Sequence, residues 1–158
     1  MIRKVEGDIL LSNAEAIAHG VAPDDHFDQG LALSLRERWP SLYKDFRHYI
    51  HVHHPKSGTL WFWGGAEGAR FYNLFTQSEG EGAHPGPASL ENVNHVLREL
   101  KKAIEADSIK SIALPKLATG VGKLKWDDVL PLIENHLGDL DCDVIIYETY
   151  QAGVAGEN

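Results

Sequence analysis

Groups able to accept, donate or carry protons gather at a few places in this chain. The densest is His19 followed by Asp24, Asp25, His26 and Asp28. A histidine beside carboxylates can serve as a general base with water as the nucleophile. The same carboxylate and imidazole donors could instead hold a metal for phosphate hydrolysis. A second place is Lys116 to Trp126, where Thr119-Gly120-Val121-Gly122 follows an apolar run. Glycines there allow positive φ and close approach of backbone to a ligand, so a phosphate or diphosphate is the natural guest; they could equally serve only to turn a corner. The loop matches neither the P-loop nor the dinucleotide fingerprint. Asp8, after Glu6-Gly7, could accept from a ligand amine or cap a turn. His48, His51, His53 and His54 stand close together, but without zinc-motif spacing or a nearby cysteine, so they read as exposed surface between a helix and a strand. No metal site and no cofactor are expected.

These groups need elements to position them. Ile109–Pro115 packs aliphatic residues into seven positions and reads as a buried strand running into the glycine loop. Trp126, Val129, Leu130, Ile133 and Leu137 then recur at helical spacing, with Asp127 and Asp128 in the first turn and Gly138 past the last. That helix should turn its unpaired N–H groups toward the loop's guest. A short strand, Ala16 to Val21, delivers His19 to its carboxyl end, and Leu31, Leu35 and Trp39 mark a helix that stops before Pro40. Runs 58–63 and 69–75 read as a hairpin. Beyond them, Thr76 to about Pro87 is long enough for a lid or binding loop. Ser89 should cap a helix whose apolar stripe begins at Leu90, and 143–148 supplies a closing strand. Strands alternating with helices, with one hairpin, imply an α/β class: a mixed sheet between helices, functional loops at the strand carboxyl ends.

The chain has 158 residues, 43% hydrophobic and 24% charged, and suits one domain spanning 1–158, with a core at 2–150 and a frayed tail at 151–158. No apolar stretch is long enough to span a membrane and the start has no signal-peptide pattern, so a cytoplasmic location is expected. The lone Cys142 cannot form an internal disulfide. A net charge of −8 would repel a nucleic-acid backbone unless a local basic patch overrode it, so non-specific nucleic-acid binding is not expected.

From Val5 to about Tyr147 the chain resembles the macrodomain family of ADP-ribose binders. The resemblance is carried by Glu6-Gly7-Asp8-Ile9, Ile17-Ala18-His19-Gly20, Gln29-Gly30-Leu31-Ala32, Phe71 to Gln77, and Leu114 to Gly122. Within the family it is most similar to the branch of the terminal ADP-ribose protein glycohydrolase, the antitoxins that remove ADP-ribose from DNA, and the yeast ADP-ribose-1″-phosphate phosphatase. The resemblance implies a three-layer α/β/α fold with an ADP-ribose cleft. In that cleft Asp8 would hold the adenine amine and Ile9 would line the base pocket. Gln29, Gly30 and Leu31 would form one phosphate turn and Thr119, Gly120, Val121 and Gly122 the other. Tyr147 and Glu148 would border the adenosine end. The implied partner is ADP-ribose or an ADP-ribosylated substrate, hydrolysed at its distal ribose, or bound without cleavage by a reader module. The resemblance implies a catalytic lysine, as in the glycohydrolase-like relatives, where this chain has Gln77, and a second catalytic carboxylate, as in part of the branch, where it has Gly122. His19, helped by Asp25 or Asp28, is the group left to act in their place; alternatively it only hydrogen-bonds the distal ribose.

Overall fold

A computed structural model of the chain describes residues 1–80 and 86–157. Residues 81–85, in the middle of the expected lid loop, lie outside it. Among the described residues six strands form one sheet: β1 (Ile2–Gly7), β2 (Ala16–Val21), β3 (Leu60–Gly64), β4 (Arg70–Phe75), β5 (Ser111–Pro115) and β6 (Asp143–Tyr150), in the order β1-β6-β5-β2-β4-β3. Every neighbouring pair is parallel except the β3–β4 hairpin. The sheet is therefore mixed, as the alternation of strands and helices requires, with its antiparallel strand at one edge. The 143–148 run, expected to close the sheet, lies inside it, between β1 and β5, because the N-terminal strand returns to its far side.

Helices α1 (Gly30–Arg38) and α2 (Pro40–His53) cover one face; α3 (Leu90–Ala106) and α4 (Trp126–Leu137) cover the other. The strand pleat sorts the side chains between these two layers. Ala16, Ala18, Ile112, Leu114, Val144 and Ile146 pack toward α3 and α4, while Ile17, Val21, Ala113, Ile145 and Tyr147 pack toward α1 and α2. Ser89 caps α3 by accepting from the Asn92 N–H at 3.1 Å, and α4 begins at Trp126 with Gly138 at its end, as the sequence predicts.

The sequence reading stops a helix before Pro40 and takes 41–54 as surface; the structure has a second helix there. Pro40 occupies its first turn, where a missing N–H costs nothing, and Leu42, Phe46 and Ile50 at four-residue intervals form its buried stripe. The histidines of this segment lie on the helix's outer side and just beyond its end, all exposed.

Residues 151–157, where the sequence suggests fraying, run back along the end of β1. Gln151 N–H donates to Gly7 O at 3.0 Å, Asp8 N–H to Val154 O at 2.7 Å, and Gly153 N–H to the Asp8 carboxylate at 3.1 Å. Among the described residues no helix is long and apolar enough to cross a membrane.

Candidate functional site

Strand order fixes where a cleft can form. β2 and β5 are parallel neighbours, but β2 leads to α1 on one face of the sheet and β5 leads to α4 on the other. The loops leaving their carboxyl ends splay apart, and a crevice opens between them, the general position of ligand sites in open α/β sheets. A cavity of about 340 Å³ occupies this crevice, walled by His19, Asp25, Gln29, Gly30 and Gln77 on one side and by the 118–122 loop on the other. A second, more apolar cavity of about 400 Å³ adjoins it, lined by Ile9, Leu10, Leu31, Ser34, Tyr147 and Tyr150. Gly30, Leu31, Pro115, Tyr147 and Tyr150 border both, so the two form one continuous cleft.

Two walls present backbone N–H groups. Gln29 is the N-cap of α1 yet makes no side-chain cap bond, and Gly30 takes φ +62°, with open space where a Cβ would stand. The helix thus begins with unpaired donors and the positive end of its dipole in the cleft. In the second turn, among the described residues, the N–H groups of Gly120, Val121 and Gly122 donate to no backbone or side-chain acceptor. The loop is braced from outside: Ala88 N–H donates to Gly122 O at 3.0 Å, Leu124 N–H to Ala118 O at 3.0 Å, and Thr119 Oγ1 to Lys116 O at 2.8 Å. Positive φ in this loop falls on Ala118 (+64°) and Lys123 (+66°), not on the two glycines. Gly122 is required for a different reason, since a Cβ there would stand 2.6 Å from Ala118 O and 2.9 Å from Ala88 Cβ. The expected contribution of the following helix N-terminus is also absent from the cleft wall: α4 starts four residues after Gly122, with two acids in its first turn.

His19 is almost wholly buried and its Nε2 lies 2.6 Å from Asn73 Oδ1, while Asn73 Nδ2 donates to Trp61 O at 3.1 Å. Because the amide nitrogen is used on Trp61, Asn73 can only accept from His19, which places the imidazole proton on Nε2 and leaves the Nδ1 lone pair free. Burial lowers the His19 pKa to about 4, against a smaller upward pull from the Asn73 bond. It is a neutral ring at pH 7. Asp25 borders the cleft but both its oxygens are engaged, by Ala22 N–H at 3.0 Å and Phe27 N–H at 2.9 Å. Burial raises its pKa, against those two bonds. Through the second bond it holds Phe27 at φ +50°, and the buried Phe27 ring meets His19 edge-on at 5.6 Å. Asp25 is built as a brace for His19. Asp28 is exposed and does not line the cleft, and the Asp24 carboxylate accepts from Gly80 N–H at 3.1 Å. Among the described residues, no three His, Cys, Asp or Glu side chains, those of the 24–28 loop included, are placed to share a metal ion.

Gln77 is buried in the wall, donating from Nε2 to Gly86 O at 2.9 Å. The one buried side-chain polar atom without a partner among the described residues is Thr76 Oγ1, against Gly20 in the cleft floor. At the other end, Asp8 caps the short turn Ile9–Leu11 through Leu10 N–H at 3.0 Å and also accepts from Gly153, so its carboxylate is shared between two backbone donors. Burial raises the Tyr147 hydroxyl pKa to about 12, helped by its bond to Glu157. Sequence reasoning missed Gly20, Pro115 and Tyr150 as lining residues, and placed Lys116 and Ala118 in the glycine loop without giving them a ligand role. Their signal was position alone: each sits at or just beyond the carboxyl end of a strand now known to face the crevice.

The family model described as "Macro domain" matches residues 80–133. The DNA ADP-ribosyl glycohydrolase of Thermus aquaticus is 27% identical over 152 residues, covering 94% of this chain and 41% of that protein. The one from Mycobacterium tuberculosis is 26% identical over 150 residues, covering 93% and 42%. The chain thus spans about two fifths of the length of the curated relatives it matches. Among solved structures, the macrodomain of Thermus aquaticus DarG superposes with a TM-score of 0.84 at 27% identity, covering 94% of this chain and 98% of that one. Thermosipho africanus DarTG in complex with ADP-ribose gives 0.82 at 22% identity, covering 98% and 42%, a likeness of fold. A family model matched over residues 80–133, relatives aligned along nearly the whole chain and a shared three-layer fold agree: the chain has the macrodomain fold and is similar in sequence to the macrodomains of DNA ADP-ribosyl glycohydrolases.

Proposed function

We propose that this chain binds ADP-ribose in the two-part cleft and hydrolyses a bond at its distal ribose. The observation that carries the reading is the pairing of two backbone N–H turns across the crevice, next to an apolar pocket of nucleoside size. A diphosphate needs several fixed donors and tolerates a net acidic protein when those donors are main-chain amides. The apolar end, walled by Ile9, Leu31 and Tyr147, suits a base; the polar end, with His19 and Gln77, takes the distal ribose. That the relatives are DNA ADP-ribosyl glycohydrolases supports an ADP-ribosyl linkage to a nucleic acid as the bond cleaved.

In this reading His19 offers Nδ1 as an acceptor that orients a ribose hydroxyl or the attacking water, with Asp25 fixing it through Phe27. A histidine whose pKa is lowered to about 4 is a weak proton acceptor, so its contribution is orientation more than proton abstraction. Titration calorimetry with ADP-ribose should give saturable heat; a folded protein that gives none overturns the reading. Turnover of an ADP-ribosylated oligonucleotide should persist with chelator and fall about 10²-fold or more in His19→Ala, with ADP-ribose affinity within a few fold.

The second reading, a binder without chemistry, is favoured by Gln77 standing where the resemblance implies a catalytic lysine, since an amide is neither nucleophile nor base. Gln77→Lys decides between them. If the wild type is inert and this variant turns over, the chain is a reader.

A further inference from the structure

Charge is unevenly spread over this acidic molecule. Residues 36–56 hold five basic residues, Arg36, Arg38, Lys44, Arg47 and Lys56, against two acids, Glu37 and Asp45, a net of +3 in a chain whose total is −8. All five cations are exposed, and among the described residues none is in an ion pair. One of the two acids is already occupied, Asp45 accepting from Trp63 Nε1 at 2.7 Å. Aromatic rings alternate with the cations. The Arg36 guanidinium lies 4.2 Å from the Tyr43 ring centre, and Tyr49 stacks on Trp61 at 4.9 Å and 17° while touching the exposed His53 ring at 4.8 Å.

This face is joined to the cleft at both ends. α1 begins at Gly30 in the cleft wall, and the chain leaving α2 reaches Ser57, whose hydroxyl donates to Gln77 O at 2.9 Å. The carboxyl end of α2 is therefore tied to the cleft wall that holds Gln77. Unpaired cations that track phosphates, interleaved with rings that stack on any base, are the elements of sequence-tolerant single-strand recognition.

We propose that the outer face of α1 and α2, residues 36–56, is a docking surface for single-stranded nucleic acid, holding the strand whose ADP-ribosyl group enters the cleft. The proposal rests on the cleft reading above. The surface is the local basic patch that overrides the repulsion a net charge of −8 would otherwise impose.

The test is fluorescence anisotropy with an unmodified, labelled single-stranded oligonucleotide of about a dozen nucleotides, within the range of single-strand site sizes. Wild type should bind at low salt, with saturating ADP-ribose present or absent, and should weaken with salt at a log–log slope near −0.7 per phosphate contact, about −2 for three. The double reversal Lys44→Glu/Arg47→Glu should lower affinity at least tenfold. Lys101→Glu/Lys102→Glu on α3, the same change in net charge elsewhere, should not. Equal losses in the two double variants, displacement of the oligonucleotide by ADP-ribose, an acidic peptide binding as well as the oligonucleotide, or no binding at low salt would each overturn the proposal. Calorimetry with ADP-ribose on the same proteins separates that outcome from failure of the cleft itself.

Discussion

The two glycines of the second turn differ in what a side chain would meet, and that difference divides ligand contact from folding. A Cβ at Gly120 finds nothing within 4 Å, so a larger residue there projects into the cleft at no internal cost. At Gly122 it meets Ala118 O and Ala88 Cβ, atoms of a braced loop with little room to shift. Gly120→Val should leave the melting temperature nearly unchanged while abolishing ADP-ribose heat in calorimetry. Gly122→Val should unfold earlier, by about 1–3 kcal/mol, the usual cost of overpacking. If Gly120→Val bound ADP-ribose normally, the turn would be a corner and not a phosphate cradle. From sequence both positions read alike, as glycines chosen for positive φ. The strain instead falls on Ala118 and Lys123, because which residue of a loop turns left-handed depends on the hydrogen bonds that brace it, here Leu124 to Ala118 and Lys123 to Gly120.

Among the elements, those whose periodicity acts alone were legible. The 3.6-residue stripes of α3 and α4, the alternating hairpin and the apolar β5 run each specify their element locally. α2 was missed because Pro40 reads as a stop when the preceding helix is the frame; only the Leu42, Phe46 and Ile50 stripe marks it as a start. The place of β6 inside the sheet depends on pairing with β1 more than 140 residues away, which no local pattern encodes. The same long-range closure gives Asp8 a second task. Its carboxylate ties Gly153 and the Ile9 turn to the end of β1 and does not itself line either cavity, so the adenine contact implied by the resemblance would come on top of that structural task. Asp8→Ala should therefore lower thermal stability by about 1–3 kcal/mol, the cost of leaving backbone donors unmet. At a temperature where the variant stays folded, it should also weaken ADP-ribose tenfold or more and leave ribose-5-phosphate unaffected. Equal weakening of both ligands would assign Asp8 to folding alone.

At the scale of the whole molecule, one buried ring couples the site to global stability. Burial lowers the folded His19 pKa to about 4, whereas an unfolded histidine titrates near 6.5. Between those values the unfolded chain binds the extra proton and the native chain refuses it, so stability falls as pH drops through 6.5 and the loss is complete near 4. The shift corresponds to roughly 3 kcal/mol, a large share of what a domain of this size has to spare. Two other groups act in the same acid range. His136, lowered by partial burial, adds to the loss, whereas Asp25, raised by burial, opposes it below its own folded pKa because the native state then holds the proton more readily. His19→Gln keeps an amide donor for Asn73 and removes the titration. Its melting temperature should be lower than wild type at pH 7, where the imidazole packs on Phe27, and should decline less between pH 6.5 and 4.5. Calorimetric melts of both proteins across that range measure the difference directly; parallel declines would mean His19 is solvated in the native state and carries no buried lone pair for the cleft to use.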